Sequence, residues 1–70
     1  MIRTPVSSSN VASIGHDAKT NTLEVEFNNG TIYHYFHVSH KVFEEFLEAP
    51  SVGKYLASEI KPTYQFAKIG

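Results

Sequence analysis

The chain has 70 residues, no cysteine, five Phe, four Tyr and a formal net charge of −1. A chain this short forms one domain, spanning residues 1–70, whose stability comes from packing of large side chains rather than from disulfides or a structural zinc. The nearly neutral charge argues against a strongly basic nucleic-acid binder and against a membrane-surface protein. No segment is apolar enough for a signal peptide or a bilayer span, so we expect a cytoplasmic protein without a membrane partner.

The N-terminal third predicts an irregular segment followed by one strand. Residues 1–9 are polar and contain Pro5, which cannot join regular strand pairing except at the edge of a sheet. Val11–His16 is predicted to be the first strand, and Gly15 within it indicates a bulge or a close approach of another backbone segment. Asp17–Asn21 is predicted to be a turn, because Asp and Asn side chains satisfy nearby backbone donors.

The centre of the chain predicts a β-hairpin. Thr22–Phe27 alternates apolar and acidic residues, as a half-buried strand does, and Thr31–Val38 is rich in aromatic and β-branched residues. A two-residue loop would put the tyrosines of the second strand on the outer face beside Glu24 and Glu26. A three-residue loop ending at Gly30 would turn them to the core, and we favour it because its last position suits a left-handed glycine.

Two helices are predicted after the hairpin. Ser39 is a suitable N-cap for a helix that ends near Pro50, and Ser51 can cap a second helix over Val52–Ile60. Gly53 is unfavourable in a helix, so we expect a tight backbone contact there. Apolar residues at helical spacing define the buried faces of the two helices: Val42, Phe43, Phe46 and Leu47 in the first, and Val52, Tyr55, Leu56 and Ile60 in the second.

The sequence therefore predicts an α+β fold. A three-stranded antiparallel meander packs on two short helices, and Thr63–Ile69, with aromatics at alternate positions, forms a possible short C-terminal strand. The face that meets the helices is predicted to carry Leu23, Val25, Phe27, Tyr33 and Tyr35.

The chain resembles the KTSC domain family over roughly Val6–Phe66. The resemblance rests on the central Tyr-x-Tyr, here Tyr33-His34-Tyr35, and on a Ser-x-Gly-x-Tyr run, here Ser51, Gly53 and Tyr55. The family is named after the C-terminus of some lysyl-tRNA synthetases and also includes small free-standing proteins. Two departures are visible, since Ser39 stands where a Pro is usual and His16 where a Tyr is common.

The resemblance implies an uncharacterised, non-catalytic binding module whose partner is RNA, tRNA in particular. Tyr33 and Tyr35 could stack on unpaired bases, and Lys54, Lys61 and Lys68 could hold phosphates. The simpler interpretation makes the tyrosines core residues and the lysines a solvated rim.

A protein interface is the alternative function. Ile32 and Phe36 are predicted to lie on the other face of the central strand, where the C-terminal segment or a partner protein must cover them. We expect either a contact with another protein or self-association through these two residues.

No catalytic residue, metal site, cofactor or small-molecule substrate is predicted. His34 and His37 lie three apart on a strand and so point to opposite faces, while the geometry of His37 and His40 at the strand–helix junction is left open. The chain has no nucleophile-elbow spacing and no phosphate-binding glycine loop, and its size leaves little room for a substrate pocket. We therefore expect that the protein is not an enzyme.

Overall fold

A computed structural model describes all residues, Met1–Gly70, as a five-stranded antiparallel sheet with helices on one face. The strands lie in chain order, each hydrogen-bonded to its sequence neighbours. Their bounds are β1 Arg3–Pro5, β2 Val11–Asp17, β3 Thr22–Phe27, β4 Ile32–Tyr35 and β5 Phe66–Lys68. Helix α1 spans His40–Glu48, and α2 spans Val52–Tyr55 and continues as a π-helical segment over Leu56–Ile60.

The predicted α+β class and central meander are confirmed, but the sheet has five strands, more than the three strands and one possible fourth that were predicted. Residues 1–9 are not irregular throughout, because Arg3–Pro5 pairs with Ser13–Gly15 as an edge strand. An edge position lacks a second neighbour and therefore tolerates Pro5, which has no backbone N–H to donate. The possible C-terminal strand is present as β5, which pairs with β4 at the opposite edge.

The β3–β4 hairpin has the three-residue loop, so its register turns the tyrosines inward. Leu23 lies opposite Tyr35, and Val25 lies opposite Tyr33. The Gly30 N–H donates to the carbonyl oxygen of Phe27 over 2.9 Å, and Gly30 has a φ of 89°. A left-handed residue at this position is what a type I turn with a G1 bulge requires, and glycine adopts it without steric cost.

Helix α1 follows its sequence signals closely. The Ser39 side chain accepts a hydrogen bond from the backbone N–H of Val42, which satisfies one of the unpaired donors at the helix start. Phe43 and Phe46 are buried against the sheet. The helix ends at Glu48, where Pro50 makes a further helical turn unfavourable.

The second helix departs from the prediction in its last turn. The Lys61 N–H donates to the carbonyl oxygen of Leu56, five residues earlier, so Leu56–Ile60 winds as a π-helix. The Ser58 hydroxyl donates to the carbonyl oxygen of Lys54 over 2.9 Å and so occupies an acceptor that an α-helical turn would use. Leu56 and Ile60 both remain buried in this arrangement.

The two glycines with predicted close contacts behave differently. A Cβ atom at Gly15 would lie 2.7 Å from the carbonyl oxygen of Ile2, so this glycine permits β1 to approach β2. A Cβ at Gly53 would meet only the Ser8 hydroxyl at 3.6 Å and the Asn10 amide at 3.9 Å, which are ordinary contacts. The prediction of a tight backbone contact was wrong at Gly53.

One core lies between the sheet and the helices. Its eleven buried members come from β2, β3, β4, both helices and the segment before α1: Val11, Ile14, Leu23, Val25, Tyr35, Val38, Phe43, Phe46, Val52, Leu56 and Ile60. Phe27 and Tyr33 are partly buried and pack against this cluster. At about 25 cal/mol per Å² of buried apolar surface, these side chains supply the main favourable term in folding. No helix has the length and apolar character needed to cross a membrane.

Candidate nucleic-acid interface

A cleft of about 680 Å³ opens beside the hairpin, on the helix side of the sheet. Strands β4 and β5 form its aromatic wall, the π-helical segment forms the opposite wall, and two loops close one end. The loops are Ser9–Asn10, before β2, and the hairpin loop that begins at Asn28. The cleft therefore collects residues from four parts of the chain around the central hairpin.

The aromatic wall is a set of rings in mutual contact. The Tyr33 ring lies 5.6 Å from the Phe66 ring with an interplanar angle of 30°, and Phe27 meets the other side of Tyr33 edge-on at 5.6 Å. Phe66 is 58% exposed, whereas Tyr35 is only 2% exposed. A base can stack on an aromatic face only where that face is open, so the exposed Phe66 ring, packed against the half-buried Tyr33, is the available platform.

Tyr35 is a core residue that lines the cleft but is almost fully buried. Burial, and secondarily the neighbouring Tyr33, raises the pKa of the Tyr35 phenol above its ordinary value. The structure thus supports the core interpretation for Tyr35 and leaves Tyr33 as the tyrosine that can contact a ligand.

The end of the cleft is polar and held by hydrogen bonds. The Asn28 amide group donates to the carbonyl oxygens of Ser8 and Ser9 over 3.2 and 2.9 Å, which ties the hairpin loop to the N-terminal loop. Asn29 accepts a hydrogen bond from the Thr31 N–H through its side-chain oxygen, and its amide NH₂ takes no part in that bond. Amide groups of this kind can hydrogen-bond the edges of unstacked bases.

Charge is divided between the two faces of the sheet. Lys61 is the one charged residue that lines the cleft, and no carboxylate lines it. Glu24 and Glu26 lie on the opposite face, where the Arg3 guanidinium is 3.4 and 4.0 Å from their respective carboxylates. His34 also contacts Glu24 there, at 2.8 Å. The acidic residues of the hairpin are therefore paired on the face away from the cleft.

The other predicted lysines are placed unequally. Lys68 lies directly opposite Tyr33 in the β4–β5 pairing and so shares its face of the sheet. Lys54 is exposed on α2 and does not line the cleft. Tyr33 and Lys61 therefore line the cleft together, Lys68 lies beside Tyr33 without lining the cleft, and Lys54 lies outside it.

The predicted protein-interface residues are partly covered by the chain itself. Ile32 and Phe36 are both half-buried. The backbone N–H of Ile32 donates to the carbonyl oxygen of Gly70, and that of Phe36 donates to Gln65, so the C-terminal segment runs alongside both residues. Ile69, beside Ile32, remains 55% exposed.

Sequence reasoning missed Phe66 and the loop asparagines as site residues. Phe66 was visible only as one of two alternating aromatics near the C-terminus, and its position depends on β5 returning to pair with β4. Asn28 and Asn29 were assigned to the turn alone, which they do form. No group of three or more His, Cys, Asp or Glu side chains is arranged to hold a metal ion.

The family model of the KTSC domain matches residues 7–64, which is most of the chain and includes the hairpin, both helices and much of the cleft. The chain belongs to the KTSC domain family. A crystal structure of a KTSC domain protein from Yersinia pestis superimposes with a TM-score of 0.91 at 37% sequence identity, covering 99% of this chain and 97% of that one. The predicted family membership is confirmed.

Two kinds of relative carry this KTSC domain. An uncharacterised protein from Stutzerimonas stutzeri is 38% identical over 64 residues, which cover 91% of this chain and 90% of that protein. A lysine–tRNA ligase from Nostoc punctiforme is 34% identical over 59 residues, which cover 84% of this chain but only 10% of the ligase. The domain thus occurs both as a small protein and as a minor region of a larger enzyme.

Proposed function

We propose that this KTSC domain is a non-catalytic cytoplasmic module that binds single-stranded RNA, such as an unpaired region of tRNA, in the cleft. The observation that carries the proposal is the combination of an exposed Phe66 ring, stacked on the half-buried Tyr33, with a cleft lining that contains Lys61 and no carboxylate. Aromatic platforms with flanking cations hold unpaired bases and their phosphates in many single-strand binders. The match to part of a lysine–tRNA ligase supports RNA as the nucleic acid.

The nearly neutral net charge does not exclude this function, because the charges are segregated. Glu24 and Glu26 would repel phosphate if they shared a face with the tyrosines, but the hairpin register puts them behind the sheet. Their pairing with Arg3 further reduces the negative potential that reaches the cleft. We expect modest affinity, because few cations are available and binding by phosphate contacts weakens steeply with salt.

The test is a titration of the protein with short single-stranded RNA at low salt, followed by NMR. Chemical shifts of Tyr33, Phe66, Asn29 and Lys61 are expected to move, whereas those of Glu24 on the opposite face stay in place. Absence of any shift at low salt, or shifts confined to the face that carries Glu24, would refute the proposal.

Two exposed positions outside the set of buried core residues separate stacking from charge. Phe66→Ala is expected to weaken RNA binding about tenfold, since one base–aromatic stack contributes about 1–3 kcal/mol. Lys61→Gln is expected to reduce the slope of log K against log salt by about 0.7, the value for one phosphate contact on a single strand. Lys54→Gln is the matched control, because Lys54 is an exposed lysine outside the cleft.

A protein-binding function remains the second candidate because of one observation. Ile69 is 55% exposed beside the half-buried Ile32, so an apolar area persists at this edge after the C-terminal segment has packed. Docking of a protein, or of a second copy of the chain, would bury Ile32, Phe36 and Ile69 together. Sedimentation equilibrium at high concentration tests self-association. A protein that stays monomeric, or a self-association that Ile69→Lys does not weaken, counts against it.

A further inference from the structure

The fold brings together two histidines that are far apart in sequence and lie outside the cleft. His16 lies in β2 and His40 is the first residue of α1. Their Nδ1 atoms are 3.2 Å apart, and their ring centroids are 5.2 Å apart. Neither residue lines the cleft.

His16 is held in a defined orientation and tautomer. Its Nε2 atom is 2.6 Å from the carbonyl oxygen of Val38, and because a carbonyl only accepts, Nε2 carries the hydrogen. The ring also stacks on Phe43 at 5.4 Å with an interplanar angle of 17°. In neutral His16 the Nδ1 lone pair is therefore directed at His40. Metal-ligating histidines usually donate the other ring N–H to a carbonyl or carboxylate in this way.

His40 is the adjustable member of the pair. Its side chain is 55% exposed, and its Nε2 atom lies 3.9 Å from a carboxylate oxygen of Glu44 on the next helical turn. Without metal, the His40 Nδ1–H donates to the lone pair of His16 Nδ1, so one proton lies between the two nitrogens. If the His40 proton moves to Nε2, on the side of the ring that faces the Glu44 carboxylate, both Nδ1 lone pairs become available to a metal ion.

We propose that His16 and His40 form a two-histidine site for a divalent transition-metal ion of the Zn²⁺, Ni²⁺ and Cu²⁺ class. With metal–nitrogen distances of about 2.0–2.1 Å, an Nδ1–Nδ1 separation of 3.2 Å gives an N–metal–N angle of about 100–105°. That angle is close to tetrahedral, and because the His40 side chain is 55% exposed, its ring can rotate to direct its lone pair at the ion.

The ligand set limits both the metal and the affinity. Imidazole nitrogens suit Zn²⁺, Ni²⁺ and Cu²⁺, whereas Mg²⁺ and Ca²⁺ prefer oxygen ligands. No third His, Cys, Asp or Glu completes the site, so water or a ligand from solution fills the remaining positions. The ion is therefore exchangeable, and it is not required for the fold.

The experiment is a titration of the full chain with ZnCl₂ near neutral pH, followed by the ring ¹⁵N signals of the histidines. The Nδ1 signals of His16 and His40 are expected to shift together and saturate, while those of His34 and His37 stay in place. His40→Gln is expected to weaken Zn²⁺ binding by about tenfold or more, because it removes one of two ligands. His37→Asn is the matched control, since His37 is exposed and Asn tolerates its φ of 60°.

Either of two results would overturn the site. One is a titration of the unmodified chain in which the His16 and His40 signals do not move, or move no more than those of His34. The other is a folded His40→Gln variant, verified by circular dichroism, that binds Zn²⁺ as tightly as the unmodified chain. The first measurement needs no variant, so it decides the proposal even if a substitution disturbs the fold.

Discussion

Replacing Gly15 with alanine adds one methyl group where the edge strand β1 lies closest to β2. That methyl carbon would be 2.7 Å from the carbonyl oxygen of Ile2, 3.0 Å from Cγ of Arg3 and 3.3 Å from Cα of Arg3. Two of these neighbours are backbone atoms, so rotation of a side chain cannot relieve the contacts. Strand β1 must move away by about 0.7 Å to restore an ordinary 3.4 Å contact, or else separate from β2.

The loss in free energy of unfolding on this substitution cannot greatly exceed what the pairing of β1 with β2 contributes to stability. Overpacking of a well-packed site costs about 1–3 kcal/mol. Full release of β1 would lose a few backbone hydrogen bonds, at about 0.5–1.5 kcal/mol each, and the partly exposed Arg3–Glu24 ion pair, at no more than about 1 kcal/mol. Alanine also restricts the unfolded chain, which offsets about 0.4–1 kcal/mol. The expected net loss is about 1–2 kcal/mol, or a fall in Tm of about 4–16 °C.

Urea denaturation and amide hydrogen exchange together test this reasoning. Gly15→Ala is expected to lower the urea midpoint and to speed exchange of the Val6 N–H, which donates to the Ala12 carbonyl oxygen at the end of β1. Gly53→Ala is the matched control: its Cβ meets only ordinary contacts, and alanine favours the helix by up to about 1 kcal/mol. An unchanged midpoint and unchanged Val6 protection in Gly15→Ala would refute the close approach of β1.

Three further predictions concern the hairpin loop, the start of α1 and the buried phenol. Gly30→Ala is expected to lower the free energy of unfolding by about 1–2 kcal/mol, because it forces a side chain into a left-handed conformation; an unchanged urea midpoint would contradict the loop type. Ser39→Ala is expected to cost about 1 kcal/mol through loss of the hydrogen bond to Val42 N–H, seen as a lower Tm, with Ser39→Asp retaining most of the stability. Burial, and secondarily Tyr33, raises the pKa of Tyr35 above its ordinary value of 10.0. The neutral Tyr35 phenol therefore contributes to folding stability below about pH 10, and this contribution is lost as the pH rises through the raised pKa. The loss of stability at alkaline pH is measured by urea denaturation, and phenolate absorbance follows the ionisation of the tyrosines. This loss should be smaller in Tyr35→Phe, and an equal loss in both proteins would contradict the assignment of the raised pKa to Tyr35.

Local signals in the sequence were sufficient for the hairpin and the first helix. Gly30 fixes the loop length, the loop length fixes the register, and the register determines that Tyr35 enters the core. Ser39 and Pro50 likewise mark the two ends of α1, because each acts on the backbone beside it.

Features that depend on distant parts of the chain were not accessible in the same way. Strand β1 has only three residues and no alternation of apolar and polar residues that would predict it. It can pair with β2 because Gly15 leaves room for its backbone. The Phe66 wall requires β5 to pair with β4, and the contact between His16 and His40 requires α1 to pack beside β2. Strand periodicity was the ground for separating His34 from His37, but that ground was wrong, because β4 ends at Tyr35 and His37 has a φ of 60°. Periodicity also carries no information about pairs formed by tertiary packing.

The pairing of β4 with β5 also has a consequence for the order in which the protein folds. Residues 36–65 separate these strands, whereas β2, β3 and β4 are joined by short turns, so β5 joins the sheet at the largest cost in loop-closure entropy. It is a three-residue edge strand, and we expect it to join last and to open first during local unfolding. Phe66 lies on this strand, so a ligand held against Phe66 would slow amide exchange along β5 more than in the central hairpin.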